Sequence, residues 1–296
     1  DLDEYGIEVE RCKNESELIM AWVKKIQEMD PDFITGYNIF GFDFKYLYER
    51  AKICFPCPKD HNHRTLCRKF YGQVYHKSGC HMQKFLDMGK IRSTSYDAKD
   101  HRSKMCRYIK KDLNSSALGD NALSYIQMDG RILFDIHKEV QKGHSLESYK
   151  LDNVASHFMR GKIKTIHENI ITTEIKTLKT GDYISFRTHS NIGEELHKVG
   201  KKFQILGITE NTMTLSEPLE IDLSTYHKVE WCLNKDDVTV QDIFDKHKMK
   251  GPEGATARAE VAKYCIQDCN LVQHLMRMCL YLTVVVHTLL QKQLLS

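Results

Sequence analysis

The sequence predicts an α/β fold carrying a basic insert and a small β insert, on three observations. A short apolar run at Phe33-Ile34-Thr35-Gly36-Tyr37 leads through Gly41 into a helical pattern. A second strand-like run, Arg131 to Ile136, is followed by another helical pattern. Between residues 171 and 233 several short strand-like runs lie between Gly, Asn and Pro breaks, with helical stretches on either side.

The elements follow in order. Asn14 and Glu17 read as a capping box, and Leu18, Ile19, Trp22, Val23 and Ile26 then keep helical spacing until Asp30-Pro31-Asp32 ends the pattern. Residues 33–37 suit a buried strand, and Phe42 to Ala51 a helix. From Ile53 to Asp112 the periodicity fades, and Ser115 to Gly119 is a small-residue loop. Leu146 to Met159 reads as a helix through Leu151, Val154, Ala155 and Phe158. The β-rich stretch holds runs at 183–186, 203–206, 212–215 and 229–232. Helices resume at Thr239, capped with Asp242, and from about Thr256 to the end.

Composition narrows the class. The chain has 296 residues, 41% hydrophobic and 28% charged, with only 5 Pro and 16 Gly, which excludes disordered and collagenous proteins. Its apolar stretch Cys279–Leu290 is too short to span a bilayer, so no membrane partner is expected. Ten cysteines at irregular spacing, without a secretory leader, point to reduced thiols inside a cell. The absence of an initial Met suggests a piece of a longer protein. The net charge of +3 hides an asymmetry: residues 59–111 hold 14 basic side chains against 4 acidic ones. Such a concentration makes an anionic partner a serious candidate beside the plainer reading of a solvated loop.

Two clusters have the makings of a reactive site. Tyr37-Asn38-x-x-x-Phe42-Asp43 lies at a strand-to-helix junction, and open α/β folds place their sites at the carboxyl ends of strands. The structural alternative is that Asp43 merely favours a helix N-terminus. Tyr264 and Asp268 are four apart in a helical stretch and share a face, where a phenol and a carboxylate can orient water and hold a cation. The alternative there is an ordinary surface Asp.

Together and in this order, the two clusters resemble the exonuclease motifs of family B DNA-directed DNA polymerases. Asp-Pro-Asp-Phe-Ile-Thr-Gly-Tyr-Asn-x-x-x-Phe-Asp-x-x-Tyr-Leu at 30–47 is similar to their second motif, and Tyr-Cys-x-x-Asp-Cys at 264–269 to their third. Gly130 to Asp135 and Leu146 to Ala155 also match the eukaryotic and viral replicative branch. Ser115 to Asn121 and the β-rich stretch look most like polymerases of large DNA viruses. The resemblance runs over about residues 5–278.

It implies an RNase H-like 3′–5′ proofreading exonuclease fold, incomplete at its N-terminus, that hydrolyses 3′-terminal phosphodiesters with two Mg²⁺ or Mn²⁺ ions held by carboxylates. By the match Asp43 and Asp268 are metal ligands, Tyr264 positions the attacking water, and Asn38 and Phe42 meet the substrate. Ser115, Ser116, Lys110 and Lys111 are further substrate contacts. Lys263 stands where histidine-type relatives carry His, which makes this the tyrosine type. The intact parent would act on a primer-template and on a single-stranded 3′ end. It would carry further N-terminal and polymerase domains, and would work in the nucleus or at a cytoplasmic replication site of a host cell if viral.

One departure counts against activity of this chain alone. The family's Asp-x-Glu motif, expected in an apolar strand before the second motif, has no counterpart here, since Asp1-Leu2-Asp3 is the wrong pair in a charged stretch. The alternative reading is therefore a catalytically silent nucleic-acid-binding module. The expected organisation is an exonuclease domain first part at 1–170 with a basic Cys/His-rich insert at 54–112, a β-rich insert at 171–235, and a C-terminal helical part at 236–296.

The insert raises two further expectations. Cys54, Cys57, Cys67 and Cys80, near His61, His63 and His81, suggest a structural zinc, though a second clean half-site is missing and free thiols are the better expectation. Its lysines and arginines, Arg107 among them, alternate with Phe70, Tyr71, Tyr75, Phe85, Tyr96 and Tyr108. That mixture suits phosphate neutralisation with base stacking on single-stranded DNA.

Overall fold

A computed structural model describes residues 8–57, 59, 68–70, 73–75, 80–91, 107–115, 119–175, 178–234 and 238–278. The chain divides into two compact units, Asp1–Ser145 and Leu146–Ser296. Among the described residues no helix is long and apolar enough to cross a membrane.

The first unit contains α1 (Glu15–Met29), β1 (Phe33–Gly36), α2 (Asp43–Cys54), the short strands β2 (Arg68–Phe70) and β3 (Gln73–Tyr75), and α3 (His81–Leu86). It continues with a hairpin of β4 (Tyr108–Ser115) and β5 (Gly119–Ile126), then β6 (Ile132–Asp135) and α4 (Ile136–Gly143). Asn14 caps α1 by accepting from the Glu17 amide, as expected. The Glu17 carboxylate accepts from Lys13 rather than from Asn14, so the reciprocal half of the capping box is displaced by one residue.

β1 and β6 pair in parallel, with Phe33 opposite Ile132 and Gly36 opposite Asp135. Contrary to the expectation of a buried strand, Phe33 is 41% exposed and the rest of β1 only half-buried. The core lies to one side of this pair. Ile19 and Val23 of α1 meet Phe44, Tyr48 and Ala51 of α2, which recur at i, i+4 and i+7 and so share one face.

The same core takes Met82, Phe85 and Leu86 of α3, Met88, and Tyr108 and Ile126 of the hairpin, with the Tyr48 and Tyr108 rings stacked at 3.7 Å. Cys80, Met82, Phe85, Leu86 and Met88, which fall within the expected basic insert, are therefore core. Three apolar side chains within six residues outweigh the charged neighbours, because burial of each contributes about 1.5–3 kcal/mol.

A buried guanidinium ties the segments of this unit together. Arg131 is 2% exposed at its side chain, pairs with Asp30 at 2.9 Å, and donates to the backbone carbonyls of Pro31 and Met88.

The second unit begins with α5 (Leu151–Phe158). The expected helix from Leu146 starts five residues late because local bonds compete with it: the Leu146 amide donates to the Tyr149 hydroxyl, and the Lys150 amide to the Ser148 hydroxyl. Then come β7 (Arg160–His167), β8 (Ile170–Thr173), β9 (Tyr183–Ser190), β10 (Gly193–Leu196), β11 (Phe203–Ile208), β12 (Thr212–Leu215) and β13 (Lys228–Asn234). The helices α6 (Val240–Lys248) and α7 (Gly251–Met278) follow. Thr239 and Asp242 form the expected capping box of α6. The last helix starts at Gly251 rather than Thr256, with Pro252 in its first turn, where a missing amide hydrogen costs nothing.

Six of these strands close into a ring in the order β9-β11-β12-β8-β7-β13, with β13 returning to β9. The β-rich region thus begins at Arg160 rather than 171. The lysines of β7 point outward and mask its single buried residue, Ile163. Ile171, Ile184, Phe186, Phe203, Ile205, Met213 and Leu215 are fully buried, as alternation into a filled barrel requires. Register shifts at 163/165 and 205/207 bend the strands toward closure.

Trp231 is 3% exposed and donates its indole N–H to Thr173 Oγ1 at 2.9 Å; that hydroxyl in turn donates to the Lys162 carbonyl. A Cβ at Gly161 would lie 2.6 Å from the indole nitrogen. Gly161→Ala is therefore expected to destabilise this unit by about 1–3 kcal/mol, read as a lower urea midpoint. An unchanged midpoint would show that Trp231 repacks freely.

Candidate functional site

The first cluster is built by the parallel pair. Both strands end at the same edge: β1 runs into the loop 37–42 and α2, and β6 runs directly into α4. Asp135, the last residue of β6, is 2% exposed. Its Oδ1 accepts from the backbone amides of Asn38 (2.8 Å) and His137 (3.1 Å), and its Oδ2 from that of Phe40 (3.1 Å). Burial raises its carboxyl above the usual range, against the pull of these three donors.

Asn38 adopts a left-handed backbone, φ +61°, which Asn tolerates better than most residues. Its carbonyl accepts from the amides of Gly41 and Phe42, both at 3.0 Å. A Cβ at Gly41 would sit 2.3 Å from the Asn38 side-chain oxygen, so glycine is needed there. This tight loop delivers Phe42 and Asp43 to the start of α2, with Asp43 accessible in the first turn.

Asp43 does not serve as the N-cap of α2; Phe42 occupies that position without a side-chain bond. Partial desolvation first, and the charge of Asp135 as well, raise the Asp43 carboxyl above its ordinary value, against its own backbone amide. Phe42 is 61% exposed and its ring stacks on that of Tyr46 at 5.8 Å, an apolar face beside a carboxylate. His137 packs edge-on against Tyr37 at 5.1 Å, and burial pushes its imidazole down to about 4, so it is neutral near pH 7.

The second cluster lies on α7 in the other unit. Ala257, Leu271 and Leu275 are the buried residues of a helical stripe, and Tyr264 and Asp268 fall on that stripe, each half-buried. Asp268 is half-buried, on the helix face that Tyr264 and Leu271 share.

The structure thus brings Asn38, Phe42 and Asp43 together in one unit, and Tyr264 and Asp268 together in the other. Lys110 and Lys111 are exposed on β4. Ser115 ends that strand opposite Gly119, while Ser116 lies outside the described residues. Three members of the proposed phosphate-and-stacking surface belong elsewhere. Phe85 and Tyr108 are 0% and 5% exposed and are core residues. Arg107 pairs with Asp87 and Asp129 with its side chain 12% exposed.

Of the suggested zinc ligands, Cys54 and Cys57 pack against the core and Cys80 caps α3 by accepting from the Gln83 amide. Cys67 lies outside the described residues. Among the described residues no group of three or more His, Cys, Asp or Glu is arranged to hold a metal ion. Asp135 is the residue that sequence reasoning missed; an Asp closing a strand directly before a helix was the available signal.

The family model described as "DNA polymerase family B, exonuclease domain" matches residues 1–154, more than half of the chain. The chain belongs to the family B DNA polymerases. Among the relatives of this family B chain, the DNA polymerase of Pyramimonas orientalis virus is 37% identical over 268 residues, which is 90% of this chain and 18% of that protein. The DNA polymerase of Phaeocystis pouchetii virus is 29% identical over 91% of the chain and 24% of its own length. The DNA polymerase delta catalytic subunit of Dictyostelium discoideum is 30% identical over 56% of the chain and 12% of its own length. The family B chain therefore spans about a fifth of its viral relatives. Its likeness to them extends well beyond the part it shares with the delta subunit.

Proposed function

We propose that the chain is most of the 3′–5′ proofreading exonuclease region of a replicative family B DNA polymerase, on an RNase H-like scaffold. The observation that carries this reading is the loop 37–42, which presents Asn38, Phe42 and Asp43 at the carboxyl edge of β1 beside a second, buried carboxylate. Asp268, beside Tyr264 on α7 of the second unit, takes its assigned role from the motif match at 264–269 alone.

The donors suit a hard divalent cation. Asp43 offers accessible oxygens; partial desolvation first, and the charge of Asp135 as well, disfavour its bare carboxylate, and Mg²⁺ or Mn²⁺ would offset both. Asp43 and Asp268 would hold such ions. When bound, the ions supply an activated water and neutralise the charge that develops on the phosphodiester.

The protein's own residues do the rest. Asn38 and the Phe42 face hold the terminal nucleotide, Tyr264 orients the attacking water, and Lys110 and Lys111 neutralise phosphates of the single strand. In the parent enzyme, template-directed synthesis on a primer-template would belong to other domains of the chain, at a DNA replication site within the host cell.

The Asp-x-Glu pair that the resemblance calls for is not in this sequence. The purified 296-residue chain is accordingly expected to retain 5′-labelled single-stranded DNA on a filter at low salt without shortening it in Mg²⁺ or Mn²⁺. Metal-dependent, Asp268-sensitive shortening by this chain would refute the view that half the carboxylates are insufficient. Failure to retain DNA at any salt would remove the assigned role of the lysines.

A further inference from the structure

We infer that Asp135 is a positioning residue that sets the conformation of the loop carrying Asn38, Phe42 and Asp43. The parallel register places Asp135 opposite Gly36 on the last rung of the ladder, so its side chain lies where β1 stops pairing. Beyond Gly36 the backbone amides need new acceptors. The Asp135 carboxylate takes two of them, Asn38 and Phe40, one on each oxygen, while it also caps α4 through His137. The Asn38 carbonyl then takes the amides of Gly41 and Phe42. One buried carboxylate below the loop and one carbonyl within it therefore fix the path into α2.

This use differs from ligation. Asp135 is 2% exposed and three backbone donors occupy it, whereas Asp43 keeps accessible oxygens. A residue that only capped α4 would need the His137 contact alone.

The consequences separate by atom. In Asp135→Asn the retained Oδ1 still accepts from Asn38 and His137, but an NH₂ replaces Oδ2 and meets the Phe40 amide donor to donor. Amide exchange in the 296-residue chain, followed by NMR, is then expected to quicken at Phe40 by roughly tenfold or more. Asn38 and the barrel amides at 171–173 and 184–188 should stay protected. Asp135→Ala should release Asn38 and Phe40 together; if it does not fold, the near-isosteric Asn variant still decides. Faster exchange confined to 137–141, with Asn38 and Phe40 unmoved, would reduce Asp135 to a helix cap and overturn the inference.

The second measurement rests on the proofreading reading above. In the parent polymerase, Asp135→Asn is expected to lower kcat for 3′ digestion with KM for single-stranded DNA and primer extension unchanged. A shifted Mg²⁺ requirement at unchanged kcat would make Asp135 a ligand instead and overturn the positioning role. If exchange at Phe40 quickens while digestion is untouched, the loop assignment stands and the proofreading reading fails.

Discussion

Replacing Asp43 with Asn in the intact polymerase is expected to slow 3′–5′ digestion of single-stranded DNA by roughly 10³-fold, about 4 kcal/mol of lost stabilisation, with primer extension retained. The size follows from the charge. Asp43 sits in the first turn of α2, where partial desolvation and, after it, the charge of Asp135 raise its carboxyl, so a bound cation would stabilise the ionised form. Asn keeps the shape and one oxygen but removes the charge that would hold a divalent ion.

Asp268→Asn is expected to have an effect of the same order. Retention of digestion within tenfold of the unmodified enzyme in Asp43→Asn would exclude a metal-ligand role for that residue.

The second large effect is on stability. Arg131→Ala is expected to destabilise the first unit by about 1–3 kcal/mol, the scale for buried polar groups left without a partner. The substitution leaves the carbonyls of Pro31 and Met88 without their donor, while Asp30, 59% exposed, keeps Lys90 at 3.4 Å. Lysine should rescue little, since a single ammonium cannot reproduce the planar fork that reaches all three groups. Chemical denaturation monitored by the core tyrosines Tyr48 and Tyr108 would show it. A loss below about 1 kcal/mol would mean that the two carbonyls find water instead.

The strand-to-helix junction at 33–43 was legible because every cue there is local: an apolar run, a glycine at the turn, a carboxylate at the helix start. That Tyr264 and Asp268 share one helix face was legible from their spacing, while the role given to them rests on the motif resemblance. The importance of Asp135 was not legible, since it arises from bonds to Asn38 and Phe40, 97 and 95 positions away, that exist only once β1 and β6 have paired. The core role of Phe85 and Tyr108 was hidden by their basic neighbours, and β7 by its outward lysines. In each case tertiary packing, not local pattern, decides which face of the segment meets water.

The six-stranded ring has a property beyond its closure. Arg160 at its start pairs with Cys232 near its end, and the Leu233 amide donates to the Met159 carbonyl. The chain therefore enters and leaves within about 5 Å, the spacing of paired strands. A turn of a few residues would bridge that gap. The 75 residues 160–234 thus leave the chain and return to it at one point, while α5 packs on β13 and Ser156 of α5 accepts from Arg187 of β9. The family model stops at residue 154, just short of this entry point.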